Sequence, residues 1–448
     1  MTHKELRHLF SRAGFGIKPK ELHKLATLEK TEVVKLLLKE SQTITDLKID
    51  LSKFESVDIK NLKQDKALAI KLRQESRKKL RPYNIAWIDR LNNPKERLRE
   101  RLTLFWANHF VCRDNNIIHV QNYNNTLRTH ALGNFRAFTK AISKEAAMIK
   151  YLNTKQNKKA KPNENFAREL MELFTLGINN YSEADIKASA RAFTGYSFDY
   201  WGNFKLIEKH HDFSDKTFFG NTGNFDGDAI IDLILDQKSC AEFICTKIYK
   251  YFVNYDVNET HVNQMVEVFF PVYNIETLMQ FVFNSNWFYN EEHIGTKIKS
   301  PVDWLTSINQ IVPIKFKKQK QLLNIQKMLG QILLFPPNVA GWEEHQSWID
   351  SNTIVLRLKL PVLLLQKTTI PSTLTIDFPD LKTSYFNTFP DWEEFQNAYG
   401  SIDNSNLQDY ILNCRISPKL KALLKSQQNL NSEDYVIQLL SLPEFQMC

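Results

Sequence analysis

The stretch "NENFARELMELFTLG", residues 163 to 177, places a carboxylate where a helix should be apolar. At about 100° per residue, Phe166, Ala167, Leu170, Met171, Leu173, Phe174 and Leu176 form one broad arc, and Glu169 falls inside it. A carboxylate turned toward a core is costly unless it meets a cation, several hydrogen-bond donors or a metal ion. Two readings follow. Glu169 forms a structural salt bridge to a distant arginine, such as Arg191 or Arg136, or it serves as a metal ligand or general acid–base. Glu172 sits at the edge of the arc. Glu164 and Arg168 lie on the far side, where i, i+4 spacing pairs Glu164 with Arg168 and Arg168 with Glu172.

A second polar residue on an apolar face is His109. In "LRERLTLFWANHF" it falls among Leu98, Leu102, Phe105 and Trp106, while Asn108 points off that face. Such a histidine is either satisfied within the core or held for chemistry. A third cluster is "KHHDFSDKTFFG", residues 209 to 220, where His210, His211, Asp212, Asp215 and Lys216 crowd a loop. Imidazole and carboxylate donors suit zinc, manganese or iron. The plainer reading is a solvated loop in which Asp212 and Ser214 supply turn hydrogen bonds. The catalytic reading gathers these segments around one pocket. His211, Asp212 and Glu169 would hold a divalent metal, or Glu169 and His109 would share a proton, with Lys216 or Arg191 stabilising an anion. Hydrolysis or group transfer on an anionic or sugar-like substrate is the expected chemistry.

The elements that must position these groups are mostly helical. The chain has 448 residues, 43% hydrophobic, with 30 Phe but only 13 Gly and 15 Pro, which argues against a turn-rich β protein. Helical periodicity predicts segments over 121–132, 134–143, 145–152, 164–176 and 182–194. A long basic helix is expected from Asp65 to Leu91, kinked or split at Pro82, and another starting at Pro94. "YSFDY" and "FKLIE" flank a "WGN" turn and read as a β-hairpin. The expected fold is mainly α: a single large irregular helical bundle with one small β-hairpin near 196–208. The core would span 1–366, including the polar loop 209–220. A linker over 367–390 and a helical segment over 391–448, packed on the core, would follow. "FPPNVAGWEEHQSW" either borders a cleft or fixes a corner between helices through Pro336, Pro337 and Trp342.

Other classes are set aside. The net charge of +9 and the basic run Arg73 to Arg81 admit polyanion binding as a lesser reading. The run lacks the interleaved aromatics of single-strand binders, so nucleic acid is not the expected partner. Five cysteines without a CxxC pair fit reduced thiols rather than a disulfide framework or a thiolate zinc site. The N-terminal stretch has no apolar signal region, and the longest apolar run, Leu360 to Leu365, is too short for a bilayer; a cytoplasmic location is expected.

"LFSRAGFG", "ERLTLFWANHF", "LRTHALGNFR", the long block from "PNENFAREL" to "ARAFTGY", "HDFSDKTFFGNTGNFDG" and "FPPNVAGW" resemble, in order, the hallmark blocks of the bacterial domain-of-unknown-function family numbered 1800. The resemblance covers nearly the whole chain and brings no established activity. It draws attention to Arg12, His109, Asn163, Glu164, Asn165, Arg168, Glu169, Glu172, Arg191, His211, Asp212 and Lys216. Glu164, Arg168, Glu172, Asn163, Asn165 and Arg12 would be supporting or structural. Ala107 stands where many members carry a histidine. Members are often encoded beside a sulfatase-like family with an export signal, which implies an alternative role: a non-catalytic partner or maturation factor for that protein.

Overall fold

Local chemistry sets where the helices begin. In the computed structural model, which describes residues 1–58, 62, 64–366 and 386–448, Thr2 and Glu5 form a capping box that opens the helix His3–Ala13. Asp65 caps Lys66–Asn92, Asn134 caps Phe135–Ser143, and Ser182 with Asp185 caps Glu183–Ala192. Pro82 does not split its helix. It lies where burial passes from one stripe (Leu72, Ser76, Leu80) to nearly the whole circumference (Tyr83, Asn84, Ile85, Trp87, Ile88). The following helix is Arg97–His109; it starts three residues beyond Pro94, with Glu96 at its N-cap.

Arg97–His109 is buried on almost every side, charges included. Such burial is tolerable only with partners. Arg128 Nε and Nη2 donate to the Glu100 carboxylate at 2.6 and 3.1 Å. Arg101 pairs with Asp303, and Arg99 donates to the carbonyls of Ser41 and Arg128 at 2.8 and 2.7 Å. Around its C-terminal end, Trp106, Phe110, Phe135, Phe138 and Phe174 pack ring against ring. One continuous apolar cluster reaches from Leu6 to Phe445.

The central block does not keep a regular helix. Asn165–Glu169 is α-helical, but Leu170–Thr175 is wound as a π-helix. Thr175 Oγ1 and the Leu176 amide bond back five residues, to Leu170 O at 2.6 Å and Met171 O at 2.8 Å. Glu169 stands at the junction.

Three two-stranded antiparallel sheets occur among the described residues. The expected hairpin is present, Tyr196–Phe198 paired with Phe204–Leu206. The end of the expected polar loop forms the first strand and turn of a second hairpin, Lys216–Phe218 paired with Asn221–Gly223 just beyond it, turning at Phe219 and Gly220 with φ of 44° and 76°. The third pairs Ile314–Phe316 with Thr388–Pro390. The end of the expected linker is therefore a strand; residues 367–385 lie outside the described ones. Beyond it, Trp392–Tyr399, Asn404–Ile411, Pro418–Ser426 and Ser432–Leu440 are helical. No helix among the described residues is long and apolar enough to cross a membrane.

Candidate functional site

The residues singled out by sequence take separate places. His109 is buried at the carbonyl end of the π-helix: its Nε2 donates to Phe174 O at 3.0 Å. Lys247 reaches its Nδ1 at 3.5 Å and donates to Leu173 O at 3.1 Å. Burial, then the Lys247 charge, drive the imidazole pKa well below the ordinary value. His109 is thus a neutral ring with both nitrogens engaged, and together with Lys247 it satisfies carbonyls that the widened helix leaves open.

Glu169 is half-buried. Burial and the neighbouring Glu172 raise its pKa. Arg191 and Arg136, its expected partners, bind Asp212 and the Asp232–Asp236 pair instead. Arg168 pairs with Glu164 at 3.3 Å and, in place of Glu172, with Glu183 at 2.9 Å; Glu172 accepts a hydrogen bond from Tyr181 at 3.0 Å. The Asn163 amide donates to Asn157 Oδ1, and Asn163 Oδ1 accepts from the Asn165 amide, which fixes the start of the helix.

The 209–220 segment is a knot of mutual hydrogen bonds. Arg191 Nε donates to Asp212 at 2.7 Å, and its Nη2 donates to Ser214 Oγ and Asp215 O. The buried Lys216 amine donates to Asp212 O and Ser214 O at 2.7 and 2.9 Å. His211 Nδ1 donates to Thr194 O at 2.7 Å. Burial opposes ionisation of Asp212, but Arg191 and Ser214 outweigh it and hold the carboxyl far below the usual range. Arg191, Asp212, Lys216 and His211 are therefore neighbours, whereas His109 is engaged by Phe174 O and Lys247, and Glu169 lies in the fields of Glu172 and Arg168. Among the described residues no group of three or more His, Cys, Asp or Glu side chains is placed to hold a metal ion. Arg191→Ala removes three donors from this knot and is expected to lower the unfolding free energy by about 1–3 kcal/mol, measured by urea denaturation at neutral pH.

A cleft with about 50 Å³ of space opens elsewhere, where the helix Lys238–Phe252 faces the loop after "FPPNVAGW". Asn108, the residue beside His109, positions that loop. Its Oδ1 accepts from the Trp342 amide at 2.7 Å, and its Nδ2 reaches Glu344 at 3.4 Å. Gly341 makes the approach possible: its φ is +97°, and a Cβ there would stand 2.4 Å from Asn108 Oδ1. Gly341→Ala is expected to destabilise the protein by about 1–3 kcal/mol through strain and overpacking. The same change should speed amide exchange of 341–348, read by hydrogen–deuterium exchange mass spectrometry.

Two nitrogens lining this cleft have no hydrogen-bond partner among the described residues: Lys297 Nζ and His345 Nδ1. The Lys297 amine lies 3.7 Å from the centre of the Tyr251 ring. Burial is the main reason its pKa falls to about 7, and the Arg101 charge adds to the fall. His345 stacks on Tyr255 with centroids 4.5 Å apart. Glu343, Glu344 and Trp348 complete the polar and aromatic rim, and Asp303, neutralised by Arg101, forms part of the floor. Arg12, expected in a supporting role, is fully buried behind it; its Nη2 donates to His293 O at 2.8 Å, and its carbonyl accepts from Arg101 Nε at 3.1 Å.

Sequence reasoning missed Lys297, Tyr251, Glu344 and His345. The available signal was the "EEH" directly after "FPPNVAGW". Another histidine–carboxylate pair, His119 Nδ1 to Asp114 Oδ2 at 2.7 Å, is closed by Lys150 and Asn116, so both of its members are occupied. The five cysteines are unpaired.

The family model described as "Protein of unknown function (DUF1800)" matches residues 8–447, and the chain is a member of that family. No curated protein and no solved structure matches it.

Proposed function

We propose that the chain is an enzyme of hydrolysis or group transfer whose substrate, a hydroxyl-rich, sugar-like molecule, enters the cleft between Lys238–Phe252 and residues 341–348. The observation that carries this reading is the convergence of two unpartnered buried nitrogens, Lys297 Nζ and His345 Nδ1, on one cleft. Buried polar groups without partners are rare and mark sites where a ligand completes the set. An amine with a pKa of about 7 exists in both protonation states near neutrality, which suits proton transfer. Glu343 and Glu344 offer acceptors to hydroxyl groups, and Tyr255 and Trp348 offer flat faces to a ring.

The test is acylation of the intact protein with trace acetic anhydride across pH 5–11, followed by peptide mass spectrometry. Lys297 should label with a midpoint near 7, and a sugar that occupies the cleft should protect it. A midpoint near 10, that of an ordinary lysine, would overturn the proposal.

The alternative role, partner or maturation factor of a co-encoded sulfatase-like protein, is supported by the closed Arg191–Asp212–Lys216 knot, which resembles a scaffold for a surface more than a reacting centre. Under that reading the isolated chain co-purifies with the companion and Lys297 labels as an ordinary lysine.

A further inference from the structure

Two residues beyond Lys297, Lys299 lines a separate cavity together with Arg7, Lys18, Gln310, Tyr399 and Asn413. Three cations face it, and no carboxylate belongs to its lining. The Lys18 amine is already paired with Glu394 at 2.6 Å. The other two are not neutralised in this way. Lys299 is 3% exposed, and its amine forms no hydrogen bond or ion pair among the described residues; it only lies over the Phe445 ring at 3.8 Å. Arg7 uses Nη1 to hold Leu412 O at 2.6 Å, while its Nε is buried without a hydrogen-bond partner among the described residues. The fields of both cations reach the Cys414 thiol, which places them on one side of the molecule. Opposing charge comes mostly from outside the lining: Asp409, with Tyr410 of the lining itself, acts on Arg7, and Cys448, Asp303 and Cys414 act on Lys299.

We infer that this cavity is a binding site for a small oxyanion, a phosphate or carboxylate group, held between Lys299 and Arg7. An ammonium on a side chain so little exposed is unfavourable without a counter-charge, and an anion supplies both the charge and the acceptors it lacks. A guanidinium and an ammonium together form a common oxyanion receptor, the first as a directional fork and the second as a point charge. The space, about 40 Å³, holds roughly three waters or one such group. Gln310 and Asn413 add amide donors that are neutral at every pH. This site does not depend on the reading of the Lys297 cleft.

The experiment is isothermal titration of the full chain with inorganic phosphate, sulfate and acetate in low-salt chloride buffer. Wild type, Lys299→Met, Arg7→Met, Lys299→Arg and the exposed control Lys419→Met would be compared, each shown to be folded by circular dichroism. One saturable site is expected, weakened at least tenfold in Lys299→Met and in Arg7→Met. Lys299→Arg and Lys419→Met should stay within about threefold of wild type. Preference for phosphate over acetate assigns a phosphate group, and the reverse a carboxylate. Absence of saturable binding by all three anions, or binding that survives both methionine variants, overturns the inference.

Discussion

Asp303→Ala is expected to cost the fold about 3–5 kcal/mol, the range for removing one partner of a buried ion pair. Domain stabilities total only about 5–15 kcal/mol, so the variant should be largely unfolded at temperatures where wild type is intact. The reason lies in what remains. Arg101 is fully buried, its Nε and Nη2 committed to Arg12 O and Ser11 O at 3.1 and 3.2 Å, and its guanidinium rests on the Phe15 ring at 4.8 Å. It cannot leave the core to find water, and it cannot lose its charge. Arg12 and Lys297 lie in its field, so deletion of the carboxylate leaves cations facing cations. The alanine also loses the capping box in which Asp303 accepts from the Ser300 amide at 3.3 Å. The double variant Asp303→Ala, Arg101→Met should recover much of the loss, because the unpaired charge is gone. Urea denaturation of wild type and the two variants measures both effects. A single variant within about 1 kcal/mol of wild type would show that water reaches Arg101.

The helical body was legible because its signals are local: caps at Thr2, Asp65 and Ser182, and apolar stripes at helical spacing. The hairpin at Tyr196–Leu206 was legible for the same reason. The pairing of Thr388–Pro390 with Ile314–Phe316 was not, since three-residue strands more than seventy positions apart carry no periodic signature. The candidate site divides along the same line. His109 stood out correctly as a polar residue on an apolar face, but its partner, the Phe174 carbonyl, is freed by a π-turn that a fixed angular step cannot anticipate. The same turn explains Glu169, which a regular helix sends inward and the observed winding leaves half-exposed. Arg168 was paired by spacing with Glu172, yet the helix packed alongside supplies Glu183 with both of its oxygens. Lys297 is the clearest case. It lies in an irregular stretch with no period, and only tertiary packing places Tyr251, Arg101 and Asp303 around it.

Lys297→Met is expected to stabilise the protein, and to do so by an amount that depends on pH. The folded amine has a pKa of about 7, whereas an unfolded lysine titrates near 10.4. Between these values the unfolded chain binds the additional proton, so wild-type stability rises with pH across the window. The penalty for burying the ammonium is fully present below about pH 7 and fades toward pH 10. With one pKa unit equal to about 1.4 kcal/mol, methionine should add about 2–5 kcal/mol at pH 6 and little above pH 10. Lys299 and Lys247, both lowered to about 8 chiefly by burial, act in the same direction and remain. The variant should therefore keep a shallower upward slope rather than become flat. The groups facing Lys297 are Arg101 and Arg12, which depress its pKa, and Asp303 and Cys448, which raise it. Equilibrium denaturation at pH 6 and pH 9 measures the difference. If the gain is equal at both, Lys297 remains an ordinary charged lysine in the folded chain, and the acid–base role assigned to it fails as well. A gain confined to the lower pH would show that stability is given up to keep an amine poised at the cleft, the pattern expected of a residue retained for function rather than for the fold.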